Sequence, residues 1–182
     1  MLTNMNEHVT FEQIPSDFPI KWSGVNGYTT VPQEHVRQVV GSLYLDERLA
    51  LLTVYGEEVS SGTFTVNYVF GCIGMNRFLT VTTPVSPSGS FLSLGARHRV
   101  YAGYENEIMT MFGLTPEGHP GARNTVIHAN WPSDIYPLRK STSWNFRPPV
   151  IDDFSYPFFE VKGEGMYQIP VGPVHAGIIE PG

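Results

Sequence analysis

Cysteine is almost absent from this 182-residue sequence, in which Cys72 is the only one. A single thiol excludes a disulfide within the chain. One thiolate is also too few for an iron–sulfur cluster, which usually takes four, or for the usual ligand set of structural zinc. Cys72 lies in the apolar run 64–73, so we expect a buried thiol that packs as a small hydrophobic side chain. No metal or cofactor is therefore expected in this chain.

Charged residues are also scarce, at 15% of the sequence against roughly 25% in an average soluble protein. Lys and Arg number 11 and Asp and Glu 17, so the net charge is −6 and no basic face is available for nucleic acid. No apolar run approaches the roughly 20 residues that span a bilayer, and the N-terminus does not resemble a secretory signal. We expect a cytoplasmic protein. The shortage of charge indicates either a surface covered by partners or long neutral loops, and the 15 prolines and 18 glycines make the loops an equally good explanation.

Two helices are predicted from hydrophobic periodicity. Residues 1–29 contain several breakers and are expected to be loop-rich. Thr30 and Gln33 then have capping-box spacing, and a valine- and leucine-rich face follows at helical spacing. The apolar positions of this first helix are Val36, Val39, Val40 and Leu43. A second helix is predicted over 96–112, ended by Gly113. Its apolar stripe is Val100, Tyr104, Ile108, Met111 and Phe112.

Strands are predicted between and after the helices. The run 49–55 reads as a strand buried on both faces, and 64–73 alternates apolar and polar residues before a hairpin turn at 74–76. The remaining predicted strands are 77–83, 91–94 and an edge strand at 125–128. This order predicts an α+β fold for residues 30–147, a mixed sheet with helices packed on it. Residues 148–182 are expected to form a linker and an extended tail.

Motifs of common enzymes are missing. The sequence has no glycine-rich dinucleotide or phosphate loop and no paired-histidine zinc motif. Glu57 and Glu58 are adjacent acids that would point to opposite faces of a strand, so we interpret them as a solvated turn rather than an acid–base pair.

One segment carries a denser set of charged residues. Two acids on the second predicted helix, Glu105 and Glu107, precede a long loop with a histidine and three cations. The loop residues are His119, Arg123, Arg139 and Lys140. Arginine binds carboxylates with two parallel hydrogen bonds, so these residues are expected to organise the loop or a subunit interface. The alternatives are ordinary surface ion pairs, or an independent small enzyme or anion-binding module that uses His119, Arg123 and Arg139.

The same segment resembles the 30 kDa subunit family of NADH:quinone oxidoreductase (complex I), a small component of its peripheral arm. The matching residues are Glu105, Glu107, Phe112, Gly113, Gly118, His119, Pro120, Arg123, Trp131, Pro137, Leu138, Arg139 and Lys140. The sequence departs from the family's pattern at Asn106, Thr110, Asn124, Asn130 and Ser141. The resemblance covers roughly residues 30–145 and implies the mixed α+β fold of that family.

The C-terminal residues 163–182 resemble the opening of the large subunit of membrane-bound group 4 [NiFe] hydrogenases, including formate hydrogenlyase. The resemblance implies that a domain of the 30 kDa type is fused to the start of such a large subunit. It also implies that Glu180 is a proton relay beside the Ni–Fe site and that His175 lies near the quinone site or its hydrogenase counterpart. Both roles would be catalytic only in an intact large subunit.

The two resemblances imply a non-catalytic structural or assembly domain of an energy-converting oxidoreductase. Its expected partners are the large-subunit remainder and the iron–sulfur subunit, which it would brace for electron transfer. The Ni–Fe site and iron–sulfur clusters, or quinone, are expected in the parent complex and not in this chain. The implied location is the inner face of the cell membrane, which the chain would meet only through its complex.

Overall fold

The computed structural model of the protein describes residues 11–125, 127, 131–149 and 162–167. The chain divides into two units, 1–150 and 151–182. In the second unit the described residues form a turn, in which the Met166 amide donates to the Gly163 carbonyl over 3.2 Å. The elements of the first unit are β1 (Lys21–Ser23), β2 (Asn26–Thr30), α1 (Gln33–Tyr44), β3 (Leu49–Ser60), β4 (Thr63–Cys72), β5 (Phe78–Pro84), β6 (Ser90–Leu92), α2 (Val100–Phe112) and β7 (Thr115–Glu117).

The principal sheet has five strands in the order β1-β2-β5-β4-β3. Strand β2 runs parallel to β5, whereas the other neighbouring strands are antiparallel. Strands β6 and β7 form a separate parallel pair. The mixed sheet with two helices confirms the predicted α+β fold.

One face of β4 forms the centre of the core, as its alternation predicts. Its inward residues are Phe64, Val66, Tyr68, Phe70 and Cys72, all buried. The first helix contributes the four apolar residues that its periodicity predicts, each at most 1% exposed. Burial raises the pKa of the Cys72 thiol, which is consistent with a packing role. The hairpin turn between β4 and β5 is also confirmed.

The start of the first helix differs from the prediction. Pro32 precedes the helix, and no side-chain capping bond forms there. The side-chain amide of Gln33 instead donates from Nε2 to the carbonyls of Pro84 and Ser90 over 2.9 and 3.0 Å. The predicted capping box is therefore wrong, because Gln33 joins the ends of β5 and β6 rather than its own helix.

Strand predictions at the sheet edges are also corrected. Strands β1 and β2 lie in a segment expected to be loop-rich, because they are short and joined by a tight turn at Gly24 with φ of +60°. Strand β3 is longer than predicted and is buried on one face only, since Leu52 and Tyr55 are exposed. The predicted edge strand 125–128 is not observed at residues 125 and 127, and its other two residues lie outside the described part of the chain.

Helix α2 begins four residues later than predicted but keeps most of its predicted apolar stripe. Ile108 and Phe112 are buried, and Tyr104 and Met111 pack against the core. The amides of Arg97 and His98 both donate to the Leu94 carbonyl, which forms a turn ahead of the helix. Val100 is exposed, and Tyr101 is buried instead. Gly113 ends the helix in the left-handed conformation, as predicted. No helix in the described ranges is long and apolar enough to cross a membrane.

Substitution of Gly113 tests this helix end. Its φ is +66°, and a Cβ would lie 2.3 Å from the ring of Tyr136. We expect Gly113→Ala to lower the free energy of unfolding by at least about 2 kcal/mol, because the left-handed conformation alone costs about 1–2 kcal/mol. The matched control is Gly103→Ala in the same helix, where nothing lies within 4 Å. The control should stabilise the protein by about 0.5–1 kcal/mol in chemical denaturation. Equal effects of the two changes would contradict a left-handed helix end at Gly113.

Candidate functional site

Glu105 lies completely buried on α2 and accepts three hydrogen bonds from the segment 93–95. The donors are the Ser93 hydroxyl to Oε2 at 2.5 Å, and the amides of Leu94 and Gly95 to Oε1 at 2.7 and 3.2 Å. A Cβ on Gly95 would lie 2.9 Å from the carboxylate, so only glycine leaves room for it. This carboxylate connects α2 to the chain after β6.

His119 approaches the same carboxylate from the long loop after β7. Its side chain is 2% exposed, and Nε2 lies 3.8 Å from Oε2 of Glu105. The Gly121 amide donates to Nδ1 over 3.0 Å, so Nδ1 carries no proton and Nε2 donates to the Ala102 carbonyl at 3.0 Å. The ring is therefore neutral in this arrangement, and both of its nitrogens are engaged within the domain.

The environment of Glu105 raises the pKa of its carboxyl group. Burial is the main cause, because it penalises the charged form, whereas the Ser93 hydroxyl and the two amides oppose the shift. These three hydrogen bonds thus compensate only part of the lost solvation.

A second buried carboxylate, Glu58, holds the far end of the loop. It accepts hydrogen bonds from the amides of Gly62 and Lys140, and these amides hold its pKa below the ordinary value. The Lys140 ammonium donates to the Val59 carbonyl at 2.8 Å. The interpretation of Glu58 as a solvated turn residue is therefore wrong, because it is 8% exposed and closes the β3–β4 turn.

Arg139 joins the loop to the end of α2. Its Nε donates to the Phe112 carbonyl over 2.6 Å, and the guanidinium lies 5.3 and 4.5 Å from the ring centres of Phe64 and Tyr136. The Leu138 amide donates to the Met111 carbonyl beside it. A cation at this position satisfies an open carbonyl and matches the negative end of the helix dipole.

We name residues 118–149 the motif loop. The motif loop is fastened to α2 at two points. His119, at the start of the loop, contacts Ala102 in the first turn of the helix, and Arg139 contacts Phe112 at the last turn. The family model of the respiratory-chain NADH dehydrogenase 30 kDa subunit matches residues 29–147, which include the whole arrangement.

The chain belongs to this 30 kDa subunit family. Two relatives from Escherichia coli K12 are similar to it, hydrogenase-4 component G (33% identical over 159 residues) and formate hydrogenlyase subunit 5 (32% over 160). Each match covers 84% of this chain but only 29% and 28% of the relative, so the chain spans less than a third of their length. A chain of the archaeal membrane-bound sulfane sulfur reductase shares the fold, with a TM-score of 0.59, 15% identity and coverage of 71% of this chain and 79% of that one.

Three of the departures from the 30 kDa family pattern lie together on α2 and the motif loop. The Thr110 hydroxyl donates to the Asn106 carbonyl at 2.7 Å and lies 3.4 Å from the Asn124 amide oxygen. Oδ1 of Asn106 accepts from the Arg123 amide, and Oδ1 of Asn124 from the Ile127 amide. Neutral side chains thus form a connected polar cluster at three of the positions where the sequence departs from the family's pattern.

The predicted residues therefore separate into two groups. Glu105, His119, Arg139 and Lys140 fasten the motif loop, while the side chains of Glu107 and Arg123 are exposed. Glu180 and His175 lie outside the described residues, and the catalytic roles implied for them remain predictions. Sequence reasoning missed Glu58, Ser93 and Gly95. Glu58 lies beside another acid, and Ser93 and Gly95 lie in a stretch containing serine and glycine, and both contexts are typical of ordinary turns.

The described residues offer neither a set of metal ligands nor a charged cleft beside the C-terminal half of α2. No group of three or more histidine, cysteine or acidic residues in the described ranges could hold a metal ion. An open cleft of about 430 Å³ lies between the C-terminal half of α2 and the motif loop, and the described residues that line it are uncharged. An anion would find no cation in this cleft.

The buried carboxyl group makes stability depend on pH. Because the folded-state pKa of Glu105 is raised, the folded chain holds a proton that the unfolded chain has released above the ordinary pKa of about 4.3. This contribution to stability is complete below that pH and is lost as the pH rises through the raised pKa. We therefore expect the free energy of unfolding of the wild type to fall relative to Glu105→Gln as pH rises, by at most about 1.4 kcal/mol per pH unit. Urea denaturation across the acid-to-neutral range measures this difference.

The control for this experiment is Glu107→Gln, two residues along the same helix and exposed. It should follow the wild-type profile. A wild type that gains stability over Glu105→Gln with rising pH would contradict the sign.

Truncation of Arg139 tests the second fastening. We expect Arg139→Ala to lower the free energy of unfolding by about 2–3 kcal/mol, because it removes a charge-assisted hydrogen bond and the ring contacts. Arg139→Lys should lose less, since it keeps the charge at the helix end. Arg123→Ala is the control, because that side chain is exposed, and it should change little. Thermal and urea unfolding give the comparison, and equal losses for Arg139→Ala and Arg123→Ala would contradict it.

Proposed function

We propose that this chain is a non-catalytic structural domain of a membrane-associated energy-converting oxidoreductase, of the group 4 [NiFe] hydrogenase or NADH:quinone oxidoreductase type. It braces the large subunit and the iron–sulfur subunit so that their redox centres keep the spacing that electron transfer requires. Membership of the 30 kDa subunit family and similarity to a hydrogenase-4 component and a formate hydrogenlyase subunit support this proposal.

The observation that carries the proposal is the use of the motif residues. His119 and Arg139 are engaged in contacts that hold parts of a long loop against α2, and Glu105 is engaged with the segment 93–95. An active site leaves its reactive groups accessible to substrate, whereas a docking domain needs a rigid surface with low ordering cost on binding. The fastened motif loop meets the second requirement.

The alternative of an independent enzyme or anion-binding module has less support. His119 is buried with both nitrogens engaged, and the Arg139 guanidinium lies against a carbonyl and two rings. Neither side chain is directed at a shared space with Arg123. The three residues therefore do not form a common anion site in the described arrangement.

The partners and cofactors are proposed for the parent complex. The matches cover only 29% and 28% of the two Escherichia coli relatives, so both relatives are much longer than the region they share with this chain. This is in line with a fusion in which residues 148–182 lead into a large subunit, with Glu180 and His175 near its reaction centre. The same proposal includes domain limits of 1–29, 30–147 and 148–182. It also includes a Ni–Fe site, iron–sulfur clusters or quinone in the neighbouring subunits, and a place at the inner face of the cell membrane.

The test is isolation of the intact assembly. An affinity-tagged full chain, expressed in its own host, should co-purify with its iron–sulfur subunit and large subunit, and metal analysis should find iron in stoichiometric excess over the chain. Arg139→Ala should reduce the yield of the assembly more than Arg123→Ala does. A chain that elutes alone as a monomer, with normal folding, would contradict the proposal.

A further inference from the structure

Trp144 is the most exposed large hydrophobic residue in the described part of the chain, at 94%. An exposed tryptophan leaves a large apolar surface in water, since burial of an aromatic ring removes about 150–250 Å² from solvent. No contact within the described part of the domain explains this position. The residue lies in the motif loop, near its C-terminal end.

The turn that carries Trp144 is held from both sides. Before it, the Thr142 hydroxyl donates to the Tyr136 carbonyl at 2.7 Å. After it, the ring of Phe146 packs edge-on against Trp131, with ring centres 5.8 Å apart. The turn closes through the Phe146 amide, which donates to the Ser143 carbonyl at 3.0 Å. The indole is therefore presented on a fixed backbone, which reduces the entropy lost on binding.

Charge near this turn differs in sign from the rest of the chain. The motif loop contains four basic residues and one acid, whereas the whole chain has 11 basic and 17 acidic residues. Lys140 and Arg139 are engaged with carbonyls inside the domain. Arg147, three residues after Trp144, is exposed and makes one long hydrogen bond, 3.4 Å from Nη1 to the carbonyl of its neighbour Phe146. Tryptophan and arginine are among the residue types most enriched at binding hot spots.

We infer that Trp144 and Arg147 form a docking surface for an acidic protein surface on a neighbouring subunit of the complex. The indole enters an apolar pocket there, and the guanidinium pairs with carboxylates at its rim. An anionic bilayer fits less well, because recognition of lipid headgroups takes clusters of about 4–8 cations and the chain as a whole is negative. The inference rests on the proposed function and specifies which surface does the bracing.

The experiment measures binding of the purified chain to its own iron–sulfur subunit and to the large-subunit remainder expressed apart from it, each as a separate probe. We expect Trp144→Ala to weaken binding to one of them by about thirtyfold or more, the level of a hot spot. Arg147→Glu should weaken the same interaction and remove most of its dependence on salt, because the rim pair is screened by ions. Melting temperatures of both variants should equal that of the wild type, since the side chains are exposed.

Matched controls lie elsewhere on the surface. Tyr28→Ala removes an exposed aromatic side chain from β2, and Arg97→Glu reverses an exposed charge before α2. Both should bind within about twofold of the wild type, as rim and remote positions do.

The outcomes separate the inference from the proposed function. Wild-type binding that Trp144→Ala leaves unchanged overturns the inference and leaves the bracing function intact. Absence of wild-type binding to either subunit overturns both. Trp144-dependent self-association, or Trp144-dependent binding to phosphatidylglycerol vesicles in place of the subunits, also overturns the inference, because the occupant would then be a second copy or a lipid surface.

Discussion

The arrangement around helix α2 depends on the solvation of one carboxyl group, that of Glu105. A carboxylate removed from water loses several kcal/mol of solvation unless hydrogen-bond donors replace the water. Ser93 and the amides of Leu94 and Gly95 are those donors, so the chain after β6 must lie where it does. The close packing of Gly95 against the carboxylate follows from the same requirement. His119 then brings the start of the motif loop to the edge of this site.

The sheet and the motif loop meet at a second carboxylate, Glu58. The β3–β4 hairpin would expose its turn amides without it, and the amide of Lys140 would have no acceptor. The two buried acids therefore make different connections, since Glu105 joins α2 to the segment 93–95 and Glu58 joins the motif loop to the sheet. The fold of this domain is in this sense held together by acids in a chain with few charged residues.

Much of the fold follows from simple periodicity. The inward face of β4, the valine face of α1 and the end of α2 at Gly113 were predictable, because alternation, helical spacing and left-handed glycine are strong local signals. The short strands β1, β2 and β7 were not, because three to five residues are too few for a period, and β2 and β7 also pair with strands distant in the sequence. The predicted apolar stripe of α2 was right except at Val100, but hydrophobic spacing could not indicate that the helix also buries Glu105.

The candidate site, like the fold, was only partly predictable from the sequence. A resemblance in motif identified Glu105, His119, Arg139 and Lys140 as a set, but spacing alone would have paired the acid with the arginines rather than with the histidine. Glu58 is 47 residues from Glu105 and adjacent to another acid, so no local pattern separates it from a solvent-exposed residue. A hydrogen bond from a backbone amide to a distant side chain cannot be recognised from the sequence, because every residue type except proline can supply the amide.

The neutral cluster of Asn106, Thr110 and Asn124 has a consequence for chimeric proteins. Its members divide between α2 and the motif loop, so a loop transplanted alone from a relative with different residues at these positions would lose the matching partners on the helix. A transplanted helix alone would create the reverse mismatch. A functional graft must therefore exchange helix and loop together.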